Sequence, residues 1–205
     1  MDRCSAADAT REVTSPFNIS ETFADYDVRG VIFGLRIMGS ARSSRFALPL
    51  QVAAVCYRLR GPAVQFLLVN TNGGGKWTFP KGDPEPNLSH SQAAAREALE
   101  EAGAVGTIEP RHFHLYIHSK GVFWKAPGIQ EFVIKAFLLE VERLAEPHEL
   151  ERNPTWFDPE EARQILAKGR EAKYGHELQV VIDRALERIH KQQIQAPQPA
   201  AVRVQ

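Results

Sequence analysis

Cysteine is scarce in this chain, and so are long apolar runs and any excess of charge of one sign. Only Cys4 and Cys56 occur among its 205 residues, so the sequence has neither a disulfide framework nor a cysteine metal cage. The longest apolar run, residues 52–57, is far below the roughly 20 residues of a membrane helix, and the first residues lack the apolar core of a secretory signal. We therefore expect a protein without membrane association in a reducing, cytoplasmic setting.

The charge balance excludes one class of partner. Lys and Arg number 25 and Asp and Glu also number 25, which argues against nucleic-acid binding through bulk positive potential. Hydrophobic residues make up 43% of the chain, enough for a sizeable core. The length fits one domain with extensions.

The chain divides into three parts. Residues 1–45 are rich in Ser, Ala, Asp and Arg and contain one candidate strand, residues 31–38. We treat them as an extension, partly disordered or docked on the domain, and leave open whether they mediate a homodimer. Residues 46–191 have the patterning of a folded domain. Residues 192–205 are rich in Gln and Pro, which predicts a disordered tail.

The domain alternates between strand and helix patterns, which predicts an α/β fold. Two apolar runs around Gly61-Pro62, residues 50–59 and 64–70, predict a hairpin. Residues 89–103 predict a helix, with Ser89 and Gln92 as a capping box and Gly103 as its stop signal. The other predicted elements are strands at residues 77–79, 112–118, 130–141 and 155–157, a helix starting at Asp158 and a helix over residues 175–191.

The helix at residues 89–103 carries an unusual face. On a helical wheel Glu97, Glu100 and Glu101 fall within about a third of the circumference, with Ala95, Ala98, Leu99 and Ala102 opposite. Carboxylates three and four residues apart repel one another, and no Lys or Arg of the helix wheel falls on this face to offset them. A solvated face tolerates such a cluster, and a hard divalent cation would favour it.

The surrounding sequence favours the second interpretation. Gly82 and the run 96–104 (REALEEAGA), which follow a short strand and Pro80-Lys81, resemble the Nudix box. The spacing from Gly82 to Arg96 matches that family pattern without an insertion, but Leu88 stands where the first Glu of the box is expected. The resemblance covers roughly residues 47–190 and implies an α/β/α sandwich with a mixed sheet.

The resemblance also implies an activity. Family members hydrolyse a phosphoanhydride in a nucleoside diphosphate linked to another group, or in a related polyphosphate. It implies that Glu97, Glu100, Glu101 and Gly82 hold Mg²⁺ or Mn²⁺ and that Glu97, Glu101 and Arg96 serve catalysis. For the base that activates water we favour Glu97, with Glu131, Glu149 and Glu151 as alternatives. The first box Glu commonly supports the motif Arg, so Leu88 leaves Glu85 as a substitute partner for Arg96.

The substrate is expected to be a small, strongly anionic molecule. The Pro-Lys-Gly entry resembles the branch acting on diphosphoinositol polyphosphates and dinucleoside polyphosphates. Basic residues near the predicted site would bind such phosphates, namely Lys81, Lys76, Arg170 and Lys173, with Lys120 and Lys125 as further candidates. The alternative function is a non-catalytic Nudix-fold module for nucleotide binding or regulation.

Two other patterns are weaker. Gly73-Gly74-Gly75-Lys76 does not make a phosphate loop, because Trp77 stands where that motif needs Ser or Thr. His112, His114 and His118 share one face of a predicted strand with Tyr116. Without a fourth ligand, we interpret that face as exposed or substrate-facing rather than as a metal site.

Overall fold

The first strand explains why the sheet is covered on both faces. The structure, a computed structural model, describes residues 48–72, 75–121 and 128–195. Strand β1 spans Leu50–Arg60, and successive side chains point to opposite sides of it. Val52 and Ala54 are buried in one apolar cluster, whereas Ala53 and Val55 are buried in another. A strand buried on both sides belongs at the centre of a layered α/β domain.

The strands of the described ranges form one mixed sheet. Its core order is β3-β2-β1-β7-β5, with β4 on β1, β6 on β7 and β8 on β2. The β1–β7 pair is parallel and the other strand pairs are antiparallel. After β1 the strands are β2 (Ala63–Asn70), β3 (Trp77–Thr78), β4 (Lys81–Gly82), β5 (Ala104–Ile108), β6 (His114–Gly121), β7 (Ile129–Leu144) and β8 (Thr155–Phe157).

Helices cover both faces of this sheet. Helix α1 (His90–Ala102) packs on one face through a row of alanines that includes Ala94 and Ala98. Helices α2 (Pro159–Ala167) and α3 (Ala172–Gln195) pack on the other, where Leu166 and Leu178 are buried. The fold is therefore the α/β/α sandwich with a mixed sheet that the sequence predicts. Because alanine is small, α1 can sit close to the sheet and hold its remaining side chains in place.

The ends of α1 follow the sequence signals closely. The Ser89 hydroxyl accepts a hydrogen bond from the Gln92 backbone at 3.2 Å, and the Gln92 side chain accepts one from the Ser89 backbone at 2.9 Å. Gly103 ends the helix at φ 65°, and a Cβ there would lie 2.1 Å from the Ala145 carbonyl oxygen. The predicted capping box and glycine stop are both confirmed.

Some boundaries differ from the predictions. Strands β4 and β5 and a 3₁₀ turn at Leu150–Arg152 were not predicted, and β6 begins two residues later than expected. The predicted disorder is wrong at residues 192–195, since α3 continues to Gln195 and the Gln192 side chain hydrogen-bonds Glu109. Residues 1–47, with the candidate strand at 31–38, and residues 196–205 lie outside the described ranges. None of the described helices is both long enough and apolar enough to cross a membrane.

Candidate active site

Glycine at position 82 makes room for the first carboxylate of the site. Gly82 ends β4, which pairs with β1, and Glu97 lies on the facing helix α1. A Cβ built on Gly82 would lie 1.9 Å from Oε1 of Glu97 and 2.3 Å from its Cδ. The Glu97 carboxyl group therefore packs directly on the Gly82 backbone. Both residues belong to the predicted metal site, and the structure brings them together.

Glu97 is surrounded by negative charge. Burial is the main cause that raises its pKa to about 7, and repulsion from Glu101, Glu100 and Glu149 adds to it. Lys81 opposes that rise. Across the described residues, no donor hydrogen-bonds the Glu97 side chain. A carboxyl group in this position can take up a proton near neutral pH, or its charge can be balanced by a cation.

Glu101 differs from Glu97 because a buried arginine binds it. Glu101 is 3% exposed and Arg152 is 7% exposed. Arg152 donates from Nη2 to Oε1 of Glu101 at 2.5 Å, and from Nε to Oε2 of Glu149 at 2.6 Å. The Lys81 backbone N–H donates to Oε2 of Glu101 at 3.2 Å. Burial raises the pKa of Glu101, while Arg152 and Lys81 act against that rise.

Arg96 is anchored by a residue from the loop before the helix. Its Nη1 lies 2.7 Å from Oε2 of Glu85, and its Nε lies 2.7 Å from Oε1 of Glu100. Leu88, which stands in place of the first box Glu, packs against the apolar cluster beneath α1. The expected substitution of Glu85 as the partner of Arg96 is therefore confirmed as a contact.

These contacts correct the expectation that no positive side chain offsets the negative charge of the three carboxylates. Arg96 pairs with Glu100, and Arg152 from a distant turn pairs with Glu101. Wheel geometry could not show the second pair, because its partners are 51 residues apart in sequence. Of the three carboxylates, only Glu97 is without an arginine partner in the described ranges.

The carboxylates fit a divalent cation in their chemistry but are not gathered around one. In the described part of the chain, no group of three His, Cys, Asp or Glu side chains is arranged to hold a metal ion. Two of the predicted ligands, Glu100 and Glu101, are instead paired with arginines. Oxygen donors are the ligands that Mg²⁺ prefers, and a dication would relieve the repulsion that, after burial, raises the pKa of Glu97.

A cleft of about 570 Å³ opens beside Glu101, and most of the charged side chains that line it are positive. It lies where the ends of β6, β4 and the turns after β2 and α2 meet. Among the described residues, five cationic ones line it, namely Lys76, Lys81, Lys120, Arg152 and Arg170, against two acidic ones, Glu101 and Glu171. Such a wall favours an anionic ligand with several charges.

The predicted phosphate-binding residues do not all line the cleft. Lys76, Lys81 and Arg170 line the cleft, and Arg170 is held by hydrogen bonds to the backbone oxygens of Leu166 and Trp77, both at 2.6 Å. Lys173 does not line it, since its ammonium group lies 3.2 Å from Oε1 of Glu131. The structure therefore does not support its predicted contact with substrate. Lys125 lies outside the described residues.

One interpretation expected the face of β6 that carries the histidines to be exposed. The structure instead buries Tyr116 and His118 on that face. Tyr116 is 1% exposed and His118 is 9% exposed, because this face of the strand points into the domain. His118 also lines the cleft, which agrees with the substrate-facing alternative. Burial and the nearby charges of Lys81, Arg170, Lys120 and Lys76 lower its pKa to about 3, so it is neutral at physiological pH.

Arg152 is the residue of this site that the sequence did not indicate. It lies in the short 3₁₀ turn before β8, within a polar stretch that has neither strand nor helix periodicity. Its only local signal is its position among Glu149 and Glu151, which is common in solvated loops. Long-range charge pairing of this kind leaves no pattern in a single sequence.

Comparison with known proteins agrees with this geometry. The family model described as the NUDIX domain matches residues 49–178, which is more than half of the chain. The strand-loop-helix unit at residues 82–104 carries Gly82, Arg96 and the three glutamates within that match. The chain belongs to the Nudix family.

Two curated relatives come from Arabidopsis thaliana. The chain is 31% identical over 121 residues to Nudix hydrolase 18, mitochondrial, a match that covers 55% of this chain and 65% of the relative. It is 32% identical over 102 residues to Nudix hydrolase 4, covering 50% and 47% of the two chains. The matches thus span about half to two thirds of these relatives' lengths.

A solved structure supports the fold. The C. elegans Ap4A hydrolase, solved as a binary complex, superposes with a TM-score of 0.52 at 20% sequence identity. The match covers 70% of this chain and 99% of that one. At this level of identity the likeness shows the Nudix fold and no more.

Proposed function

We propose that this protein is a metal-dependent Nudix pyrophosphohydrolase that cleaves a phosphoanhydride bond by attack of water on phosphorus. The observation that carries the proposal is that Glu101, one of the three carboxylates on α1, lines a cleft to which the described residues contribute five cationic side chains. Nudix hydrolases generally use divalent metal ions, and we propose Mg²⁺ or Mn²⁺ here. Glu97, Glu100, Glu101 and the Gly82 backbone would hold it.

When bound, the cation would supply charge neutralisation at the pyrophosphate and a lower pKa for an adjacent water. The residues of the chain would provide positioning and electrostatic stabilisation, which dominate phosphoryl transfer. Lys76, Lys81, Lys120 and Arg170 would bind the phosphate oxygens from the cleft wall. The ion pair between Arg96 and Glu85 would hold the loop before α1 against the helix.

Glu97 is the best candidate for the base. It takes no hydrogen bond from any described residue, so its carboxylate oxygens are available to accept a proton. Glu131 accepts hydrogen bonds from Tyr174 at 2.6 Å and Lys173 at 3.2 Å, which lower its pKa. Glu149 is held by Arg152, and Glu151 is exposed on its turn.

For the substrate, we propose a polyphosphate with little apolar surface, such as a diphosphoinositol polyphosphate or a dinucleoside polyphosphate. The support is the composition of the cleft wall. Among its described lining residues, Ile129 is the only aliphatic one. A small molecule of this kind, without nucleic acid or membrane, is the proposed partner. A cytoplasmic location and a homodimer remain predictions.

A second function is favoured by one observation. Arginines hold Glu100 and Glu101, as would be expected if the site binds anions without turning them over. The protein would then be a non-catalytic Nudix-fold module for nucleotide binding or regulation.

A turnover panel separates the two. Wild type and Glu97→Gln are incubated with nucleotide and inositol pyrophosphates in Mg²⁺ or Mn²⁺, with Lys173→Gln as a control outside the cleft. We expect wild type and the control to turn over at least one substrate and Glu97→Gln to lose most of that activity. Binding of a substrate by wild type without turnover would establish the alternative instead.

A further inference from the structure

Arg152 binds the carboxylate of Glu101, one of the predicted cation ligands. Its guanidinium bridges Glu101 at 2.5 Å and Glu149 at 2.6 Å, and its Nη1 donates to the backbone oxygen of Asn70 at 3.1 Å. Both oxygens of the Glu101 carboxylate are therefore engaged, Oε1 by the guanidinium and Oε2 by the Lys81 backbone N–H. A guanidinium and a dication on one buried carboxylate would repel each other strongly, because both are positive and little water screens them.

The segment that carries Arg152 does not depend on this ion pair for its attachment to α1. The backbone N–H groups of His148 and Glu149 donate to the Glu100 oxygen at 2.9 and 3.1 Å. Ala145 donates to the Gly103 oxygen at 2.7 Å. The side chain of Arg152 can therefore leave Glu101 by rotation while its backbone remains docked.

The cleft offers the released guanidinium a second partner. Arg152 already lines this cleft together with Lys76, Lys81, Lys120 and Arg170. Without a ligand, a fifth free cation there would be opposed by the other four. A bound phosphate chain would replace this repulsion with attraction, because its negative charge offsets the cations. The planar guanidinium of arginine also matches phosphate oxygens in geometry.

We propose that Arg152 is a placeholder for the divalent cation: it neutralises Glu101 and Glu149 when the cation is absent, and cation binding transfers it to the substrate phosphates. This inference rests on the proposed function. It predicts that the cation and the substrate each increase the affinity for the other. The cation releases Arg152 toward the phosphates, and the phosphates draw Arg152 away from Glu101. It also adds Arg152 to the residues that bind substrate.

The first test measures Mn²⁺ affinity without substrate, by calorimetry, for wild type, Arg152→Gln and Arg163→Gln. Arg163 is the matched control, since it forms ion pairs with Glu160 and Asp183 on the surface of α2 and α3. Removal of the competing charge should tighten Mn²⁺ binding by about tenfold in Arg152→Gln alone, within the usual range for coupled sites. Unchanged or weaker binding in folded Arg152→Gln would overturn the proposal.

The second test uses wild type, so that it does not depend on the folding of a variant. The Nε–H signal of Arg152, assigned with Arg152→Lys, is followed by NMR during titration with Mg²⁺ and then methylenediphosphonate. We expect slow exchange with water in the metal-free protein, loss of protection with Mg²⁺, and a new protected signal with the diphosphonate. Protection that persists at saturating Mg²⁺ overturns this inference alone, whereas failure of wild type to bind Mg²⁺ or Mn²⁺ overturns the proposed function with it.

Discussion

Gly82→Ala should abolish most activity while leaving the fold intact. The added Cβ would lie 1.9 Å from Oε1 of Glu97, where an ordinary contact needs about 3.4 Å, so the carboxyl group must move by roughly 1.5 Å. Because it is the end of a flexible side chain that must move, the backbone can stay in place. A displacement of about 1 Å in a catalytic group can cost on the order of 100-fold in rate, and we expect a loss of at least that size.

The matched control is Gly121→Ala. Gly121 lines the same cleft, and among the described residues the nearest atom to a Cβ there would be the Gly128 oxygen, at 4.0 Å. The assay compares kcat and KM of wild type and both variants on the best substrate of the panel, with thermal unfolding measured in parallel. We expect Gly121→Ala to behave as wild type and both variants to unfold within a few degrees of it. Full activity in Gly82→Ala, or an equal loss in Gly121→Ala, would refute the assignment of Glu97 to the reaction.

Three further predictions concern the same site. Glu85→Gln should lower kcat by about 10-fold, as is usual when the partner of a functional residue is lost; equal kinetics in wild type and variant would contradict the anchoring role. Lys120→Gln should raise KM with little change in kcat, whereas Lys173→Gln should do neither, because the Lys173 ammonium group pairs with Glu131 away from the cleft; the same KM effect from both would contradict the placement of the cleft. In metal-free protein, the folded state binds the proton of Glu97 more tightly than the unfolded chain does, with a pKa of about 7 against 4.5. Wild type should therefore lose unfolding free energy relative to Glu97→Gln as the pH rises from 4.5 to 7, which denaturant titrations at several pH values would measure, and a constant difference would contradict the raised pKa.

The sequence predicted those parts of the fold whose causes are local. The helix at residues 90–102 was found with both of its caps because Ser89, Gln92 and Gly103 act on neighbouring backbone groups. The hairpin of β1 and β2 was found because apolar runs flank a turn signal. By contrast, β5 was missed because its five residues, Ala104–Ile108, include a glycine and alternate weakly. It is a strand because β7 provides a partner for it.

In the candidate site, too, the sequence predicted the features with local causes and missed those set by long-range packing. Glu97, Glu100 and Glu101 are related by helix geometry, so one sequence suffices to place them on one face. The pairing of Glu101 with Arg152 is set by how a turn before β8 docks on the end of α1. The same reason explains Lys173, whose charge suggested phosphate binding but whose position on α3 turns it toward Glu131. Charge alone does not show which side of an element a residue faces.

Hydrolysis in water labelled with heavy oxygen tests the central claim most directly. The best substrate of the panel is turned over by wild type with Mg²⁺ or Mn²⁺, and the phosphorus-containing products are analysed by mass spectrometry. If the carboxylates of α1 and the cationic cleft serve attack of water on phosphorus, one labelled oxygen should appear on a phosphate product for each bond cleaved, at a rate that falls sharply in Glu97→Gln. Products without label on phosphorus, or the same rate of labelling in Glu97→Gln, would contradict the account.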